Sequence, residues 1–364
     1  MKQMRIVMAF LIAMFVAAKA NALDVKVDEP IELMSVLART AGYGEYCKNG
    51  AREYTKAVDE HFGKYSDYSA VRYMKEIREN YGVAYDAVMA IAINLCIENG
   101  HVCWRYDGKG LAERRASQMD KVAFIAKVDS FYQQTGFHKF FLNHVSLYNK
   151  VCDAFRKNVL SQFDSAWYAR FYAKEAQEDF NIVIGCVNSA GNYGSHIDLK
   201  GHRKQNYAII GLTIGDDGQP KFGETLSTLV HEFCHSFCPR DIVRGDTALQ
   251  KKFDKAMQYI WFTTNIAMRN NSYGNKLTIV NESLVRASTI CYLIEHGNKG
   301  IFGEVVNQIN RGFRWLPGLI KLLRKYEKNR DKYKSIDDLC PEIVNYLYDF
   351  TCQESQEIRE AIAK

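Results

Sequence analysis

The stretch GETLSTLVHEFCHSF, Gly223 to Phe237, constrains this chain more than any other, because it contains His231-Glu232-Phe233-Cys234-His235. Leu226, Leu229, Val230, Phe233 and Phe237 recur at the i, i+3, i+4, i+7 spacing of a core-facing helical stripe. The histidines fall on the other side. One turn apart, His231 and His235 can present two imidazole nitrogens to one metal ion. Glu232 stands beside them. This is the arrangement that zinc hydrolysis needs: neutral imidazoles hold the ion, an open position keeps a water, and Glu232 is the catalytic base that takes the water's proton. The simpler reading, two partly buried histidines satisfying hydrogen bonds at a helix face, requires nothing further of the sequence.

A catalytic zinc site generally takes three protein ligands, so a third is expected. Glu282, in VNESLVRA after the β-branched run Leu277 to Val280, is the preferred candidate. A glutamate on a second helix is how the gluzincin peptidases complete such a site, often as Asn-Glu, and Asn281-Glu282 is similar to that pattern. Where that family usually carries an acidic residue four places later, this chain has Arg286. Asp241 is the alternative, ten residues after His231, as in metzincins. The glycine that such a turn needs is replaced here by Cys238 followed by Pro239. Glu304, His296 and a Cys238 thiolate are weaker candidates.

The first 22 residues read as a cleavable leader. Lys2 and Arg5 precede an apolar run from Ile6 to Ala18, and Ala20-Asn21-Ala22 is a small-x-small cleavage signal. The run is too short for a comfortable membrane span, so the expectation is an exported chain, periplasmic or extracellular, with no stable membrane anchor after cleavage. The formal charge of +6 falls to +3 when the leader's three basic residues go. No basic block with interleaved aromatics remains, which argues against a nucleic-acid partner. The ten cysteines lack the spacing of a small stapled scaffold. Cys96, Cys103, Cys152, Cys186 and Cys291 are as readily free thiols as bridges, and Cys47 with another cysteine, or Cys340 with Cys352, could pair.

From Pro30 to about Leu160 the pattern is helical almost throughout, with AYDAVMAIAINL, apolar nearly all round, expected as the buried central helix. After Phe180 the period changes. NIVIGCV and NYAIIGLTI read as strands, separated by the polar, glycine-bearing loop SAGNYGSHIDLKGHRKQ. A sheet there would lie beside the metal helix, and its edge could add an extended peptide as a further strand. Tyr193 and His196, with His202, are therefore candidate substrate contacts. Beyond Pro239 the chain is helical again. The expected organisation is a leader (1–22), a helical lobe (23–160) and a catalytic lobe (161–364), α+β overall and mostly helical.

PIELMSVLARTAGYGEY, AYDAVMAIA, HEFCHSF, RGFRW and LLRKYEKNRDKY together resemble an uncharacterised family of exported bacterial proteins with zincin-like features, classed as a domain of unknown function. The resemblance covers nearly the whole mature chain and implies a gluzincin-like metal site, with no substrate named. The expected function is hydrolysis of a peptide or protein substrate by a zinc-activated water. Tyr193, Arg311, Tyr326 and Tyr333 are candidates to steady the oxyanion. The alternative is a catalytically inactive zincin fold that binds peptides or glycans.

Overall fold

The computed structural model describes residues 23–174, 178–223, 225–239, 241–271 and 273–363. The expected leader, residues 1–22, lies outside them. The chain is α+β and mostly helical, and it divides into two compact units. The first comprises Met1–Phe163 with Gln177–Leu226, the second Asp164–Ala176 with Ser227–Lys364.

The first unit opens with a two-residue strand, β1 (Val25–Lys26), and helix α1 (Glu29–Thr40). Pro30 sits in the first turn, where its missing N–H is no loss, and Arg39 sits in the last. Every residue from Pro30 to Arg39 is buried, so α1 is the central helix of this unit. Arg39 is tolerated there because its guanidinium is fully engaged: Asp59 accepts two bonds at 2.7 and 2.6 Å, and the carbonyls of Tyr46 and Lys48 accept others. Helices α2 (Arg52–Phe62) and α3 (Ser69–Tyr81) follow, the latter ended by Gly82 at φ 71°.

AYDAVMAIAINL does not form one helix. Helix α4 stops after Asp86–Ala92, and Leu95 already opens strand β2 (Leu95–Glu98), paired with β3 (His101–Trp104). An apolar run buried on all sides carries no period that separates helix from strand. The deciding signal was Asn99-Gly100, whose φ values of 51° and 80° build the tight hairpin turn. Helices α5 (Lys121–Thr135), α6 (Phe137–Asn143) and α7 (Val145–Asn158) complete the helical part.

Strands β4 (Asp179–Gly185), β5 (Tyr193–Ile197) and β6 (Gln205–Gly211) join β1 in a four-stranded sheet of order β1-β4-β6-β5. β7 (Thr213–Ile214) and β8 (Pro220–Lys221) form a small ladder. β4 and β6 run parallel with Ile182 opposite Ala208, and both are nearly continuous apolar runs, as strands covered on two faces must be. β5 lies within the stretch expected as loop and is antiparallel to β6 at the sheet edge. At Gly211 an added Cβ would strike the carbonyl oxygens of Ser189 and Gly191, so only glycine lets the loop before β5 close against the end of β6.

This sheet corrects the expected domain assignment. A single boundary near residue 160 placed the strands in the catalytic lobe, beside the metal helix. They belong to the first unit, because Val25 and Lys26 pair with Ile182 and Val183 and tie β4 to the amino terminus.

The second unit contains α8 (Ala166–Tyr172), α9 (Thr225–Cys234, shared at its first turn with the first unit), α10 (Thr247–Asn270), α11 (Lys276–Glu295), α12 (Ile301–Asn310), α13 (Leu316–Glu327) and α14 (Cys340–Ile362). α10 packs on α14 and α11 on α13. Leu277 to Val280 lies inside α11, whose start is capped by Asn275. α11 is long and apolar enough to cross a membrane, but 78% of its most apolar window is buried within the protein, which marks a core helix. Among the described residues all ten cysteines are free. Cys340 and Cys352 sit on one helix, and twelve residues at 1.5 Å rise put them about 18 Å apart, far beyond disulfide reach.

Candidate metal centre

Helix α9 carries the histidines on the second unit's own packing. Leu229, Val230, Phe233 and Phe237 are buried, and α8 supplies the surface they rest on. Tyr168 lies 5.7 Å from Phe233 and 5.2 Å from Phe237 between ring centroids, and its hydroxyl donates to the Val230 carbonyl at 3.2 Å. Tyr172 stacks on Phe237 at 5.3 Å. These contacts fix the apolar face, so the opposite face, with His231, Glu232 and His235, has a defined direction. The regular helix ends at Cys234, and His235 begins the turn that leads to Pro239. The histidine rings still meet at 5.0 Å, edge to face.

Glu282 arrives from α11. Its Oε1 lies 3.4 Å from His235 Nε2, and its Oε2 lies 3.7 Å from His231 Nε2. The three donor atoms fall within 4.8 Å of one another. Zinc held at about 2.0–2.1 Å places tetrahedral donors about 3.4 Å apart, so two imidazoles and one carboxylate stand here at ligand spacing. The residues present fit the ion that the motif implies.

Glu282 is held by Tyr273, which the sequence did not single out, and by Arg286, noted there only as a departure from a family pattern. Tyr273 donates to Oε2 at 2.9 Å and Arg286 to the same oxygen at 3.1 Å. Arg286 also donates to the Tyr273 hydroxyl at 2.6 Å and to Gln308 Oε1 at 2.7 Å, and Gln308 in turn donates to Glu304 at 2.6 Å. Two donors on Oε2 fix the carboxylate and leave Oε1 facing His235, as an outer layer around a metal ligand would. Where the gluzincin pattern carries an acidic residue, Arg286 here orients the Glu282 carboxylate instead.

The electrostatics suit a cation. Burial pushes the His231 pKa well below the usual imidazole range, and His235, Arg286 and Arg311 lower it further. A neutral imidazole keeps its lone pair for a metal. Burial also raises the Glu232 carboxyl above the ordinary carboxylate range, with His235 opposing and Glu282 adding to the rise. A carboxylate shifted upward is a stronger base.

The other candidates fall elsewhere. Asp241 Oδ1 accepts from the backbone N–H groups of Val243 and Arg244 and closes a turn. His296 stacks on Tyr292 and lies 3.4 Å from Asp164. Cys238 is a buried thiol with its pKa pushed up to about 12 by burial, 3.5 Å from the Tyr172 hydroxyl. Tyr193 and His196 lie on edge strand β5 of the first unit, Tyr193 stacked on Tyr46 at 6.2 Å. His202 packs on Tyr106. Tyr326 is buried beneath Arg330, and Tyr333 bonds to Glu342. Arg311 bonds Asn271 at 2.9 Å, and its charge is among those that lower the His231 pKa.

The family model described as Domain of unknown function (DUF4932) matches residues 23–346. The chain belongs to this family. No curated protein and no solved structure matches it. In this DUF4932 chain the match runs through both units and takes in His231, Glu232, His235 and Glu282.

Proposed function

We propose that this DUF4932 protein is an exported zinc-dependent metallopeptidase of gluzincin type. One observation carries the reading: His231 and His235 from one segment and Glu282 from another converge at the donor spacing of a tetrahedral site. His231, His235 and Glu282 would hold the ion. A bound zinc supplies a water acidified to a pKa of about 7 and a Lewis acid for the scissile carbonyl.

The remaining chemistry belongs to the chain. Glu232, with its raised affinity for a proton, takes the proton from the attacking water and delivers it to the leaving amine. Arg286 and Tyr273 keep Glu282 aligned through Oε2. Arg311, whose charge together with that of Arg286 lowers the His231 pKa, steadies negative charge that develops on the carbonyl oxygen. Peptide substrates suit this set because their hydrolysis needs, besides the activated water that a bound ion would supply, a proton shuttle and an oxyanion partner, the parts given to Glu232 and Arg311.

The test is hydrolysis of a mixed peptide library by the purified mature chain, with and without chelator, beside Glu232→Gln. Chelator-sensitive cleavage lost in Glu232→Gln is the expected result. Peptide binding without cleavage by a zinc-loaded chain would replace the peptidase with a binding protein.

A further inference from the structure

A second cluster of metal-binding side chains lies in the first unit, on the hairpin β2–β3. The register pairs Cys96 with Cys103 and Glu98 with His101, so all four side chains share one face. Cys96 Sγ is 3.8 Å from Cys103 Sγ and 3.5 Å from Glu98 Oε1, and the three donors lie within 4.8 Å of one another. The sulfurs are half-buried and Glu98 is exposed, so an ion from solvent can reach them. His101 is engaged separately, its Nδ1 3.0 Å from Asp129 Oδ2. Asp129 also accepts from the Val102 N–H at 2.8 Å, and Trp104 donates to the Lys121 carbonyl at 3.0 Å, which together fasten β3 to α5.

Zinc bound at about 2.3 Å to sulfur and about 2.1 Å to oxygen sets tetrahedral S···S and S···O separations of about 3.8 and 3.6 Å. The hairpin holds Cys96 at those separations from the Cys103 thiol and the Glu98 carboxylate before any ion arrives. We propose that Cys96, Cys103 and Glu98 form a second site for a thiophilic divalent cation of the zinc class, with solvent in the remaining position. On binding, two S–H bonds break, two S–metal bonds form, and two protons pass to solvent with no change of oxidation state. Bridging β2 to β3, the ion locks the hairpin. A disulfide would need the sulfurs to close to about 2.05 Å and would leave Glu98 without a part. This site is independent of the peptidase reading.

The experiment uses the full mature chain carrying His231→Ala and His235→Ala, kept reduced with a phosphine, and titrates it with Co2+. The thiolate-to-cobalt charge-transfer absorption should saturate at about one equivalent and vanish when zinc displaces cobalt. Cys96→Ser with Cys103→Ser should abolish it, and Glu98→Gln should keep the band while weakening affinity about tenfold. A readout without variants follows alkylation of wild-type cysteines by mass spectrometry. Zinc should protect Cys96 and Cys103 while the exposed Cys47 and Cys352 react in either case. Absence of the band, its persistence in the double serine variant, or alkylation unaffected by zinc would overturn the proposal. A chain that isolates with a Cys96–Cys103 disulfide and takes up no metal after reduction would overturn it in favour of a covalent staple.

Discussion

Replacing Glu282 by Gln separates a metal ligand from a merely buried polar residue. The side chains of Glu282 and Arg286 are 11% and 7% exposed and 3.1 Å apart. A glutamine oxygen can take over Oε2 and still accept from Tyr273 and Arg286, which turns the amide NH2 toward His235. The fold keeps its hydrogen bonds, but the ligand oxygen is gone and a donor faces the imidazole. If zinc at a hundredfold excess over its Kd stabilises the wild type by about 2.7 kcal/mol, a hundredfold loss of affinity leaves about 0.4 kcal/mol. The difference, about 2.3 kcal/mol, corresponds to roughly 5–9 °C for a unit of this size. Differential scanning fluorimetry with and without zinc, in the Cys96→Ser/Cys103→Ser background so that one site reports, measures this shift. An E282Q chain that keeps the whole zinc-induced rise in Tm would refute Glu282 as a ligand.

Glu232→Gln should retain zinc by elemental analysis and lose kcat by about 10²–10⁴-fold on any peptide the wild type cleaves, since proton transfer by a positioned group contributes on that scale. Glu32 on α1 is buried and its pKa is pushed up to about 7 from the usual 4.5, chiefly by burial. The folded state therefore holds a proton that the unfolded chain releases, so stability falls as pH rises from about 4.5 to 7 and then levels, by about 3 kcal/mol in all. Urea midpoints across that range should drop for the wild type and stay flat for Glu32→Gln; parallel curves would remove Glu32 as the cause. Gly211→Ala forces a Cβ against the backbone of Ser189 and Gly191, and the overpacking should cost about 1–3 kcal/mol by chemical denaturation. An unchanged midpoint would mean that loop moves freely.

The site was more legible in the sequence than the fold around it. His231, His235 and Glu232 could be read because one helical turn fixes their relation without tertiary information. Glu282 was reachable as Asn281-Glu282 on an apolar helical stretch. Tyr273, Arg286 and Gln308 were not, since their part is set by how α11, its preceding loop and α12 meet. Residue 286, read as a departure from a family pattern, proved to hold the carboxylate. The start of the helical part, read from Pro30, fell close to its observed bound. The failures came where no local period exists. β1 is two residues long, β5 hides in a polar glycine-bearing stretch, and the break between Ala92 and Leu95 interrupts a uniformly apolar run. The first unit's discontinuity follows from the β1–β4 pairing, a contact between residues more than 150 positions apart that composition does not announce.

The zinc content of the purified Cys96→Ser/Cys103→Ser protein tests the central claim most directly. Three donors converging from α9, its trailing turn and α11 predict about one zinc per chain, falling to none when His231 is replaced by Ala. A chain that folds, carries no zinc, and takes none up from a zinc-buffered solution would contradict the metal centre and with it the hydrolase.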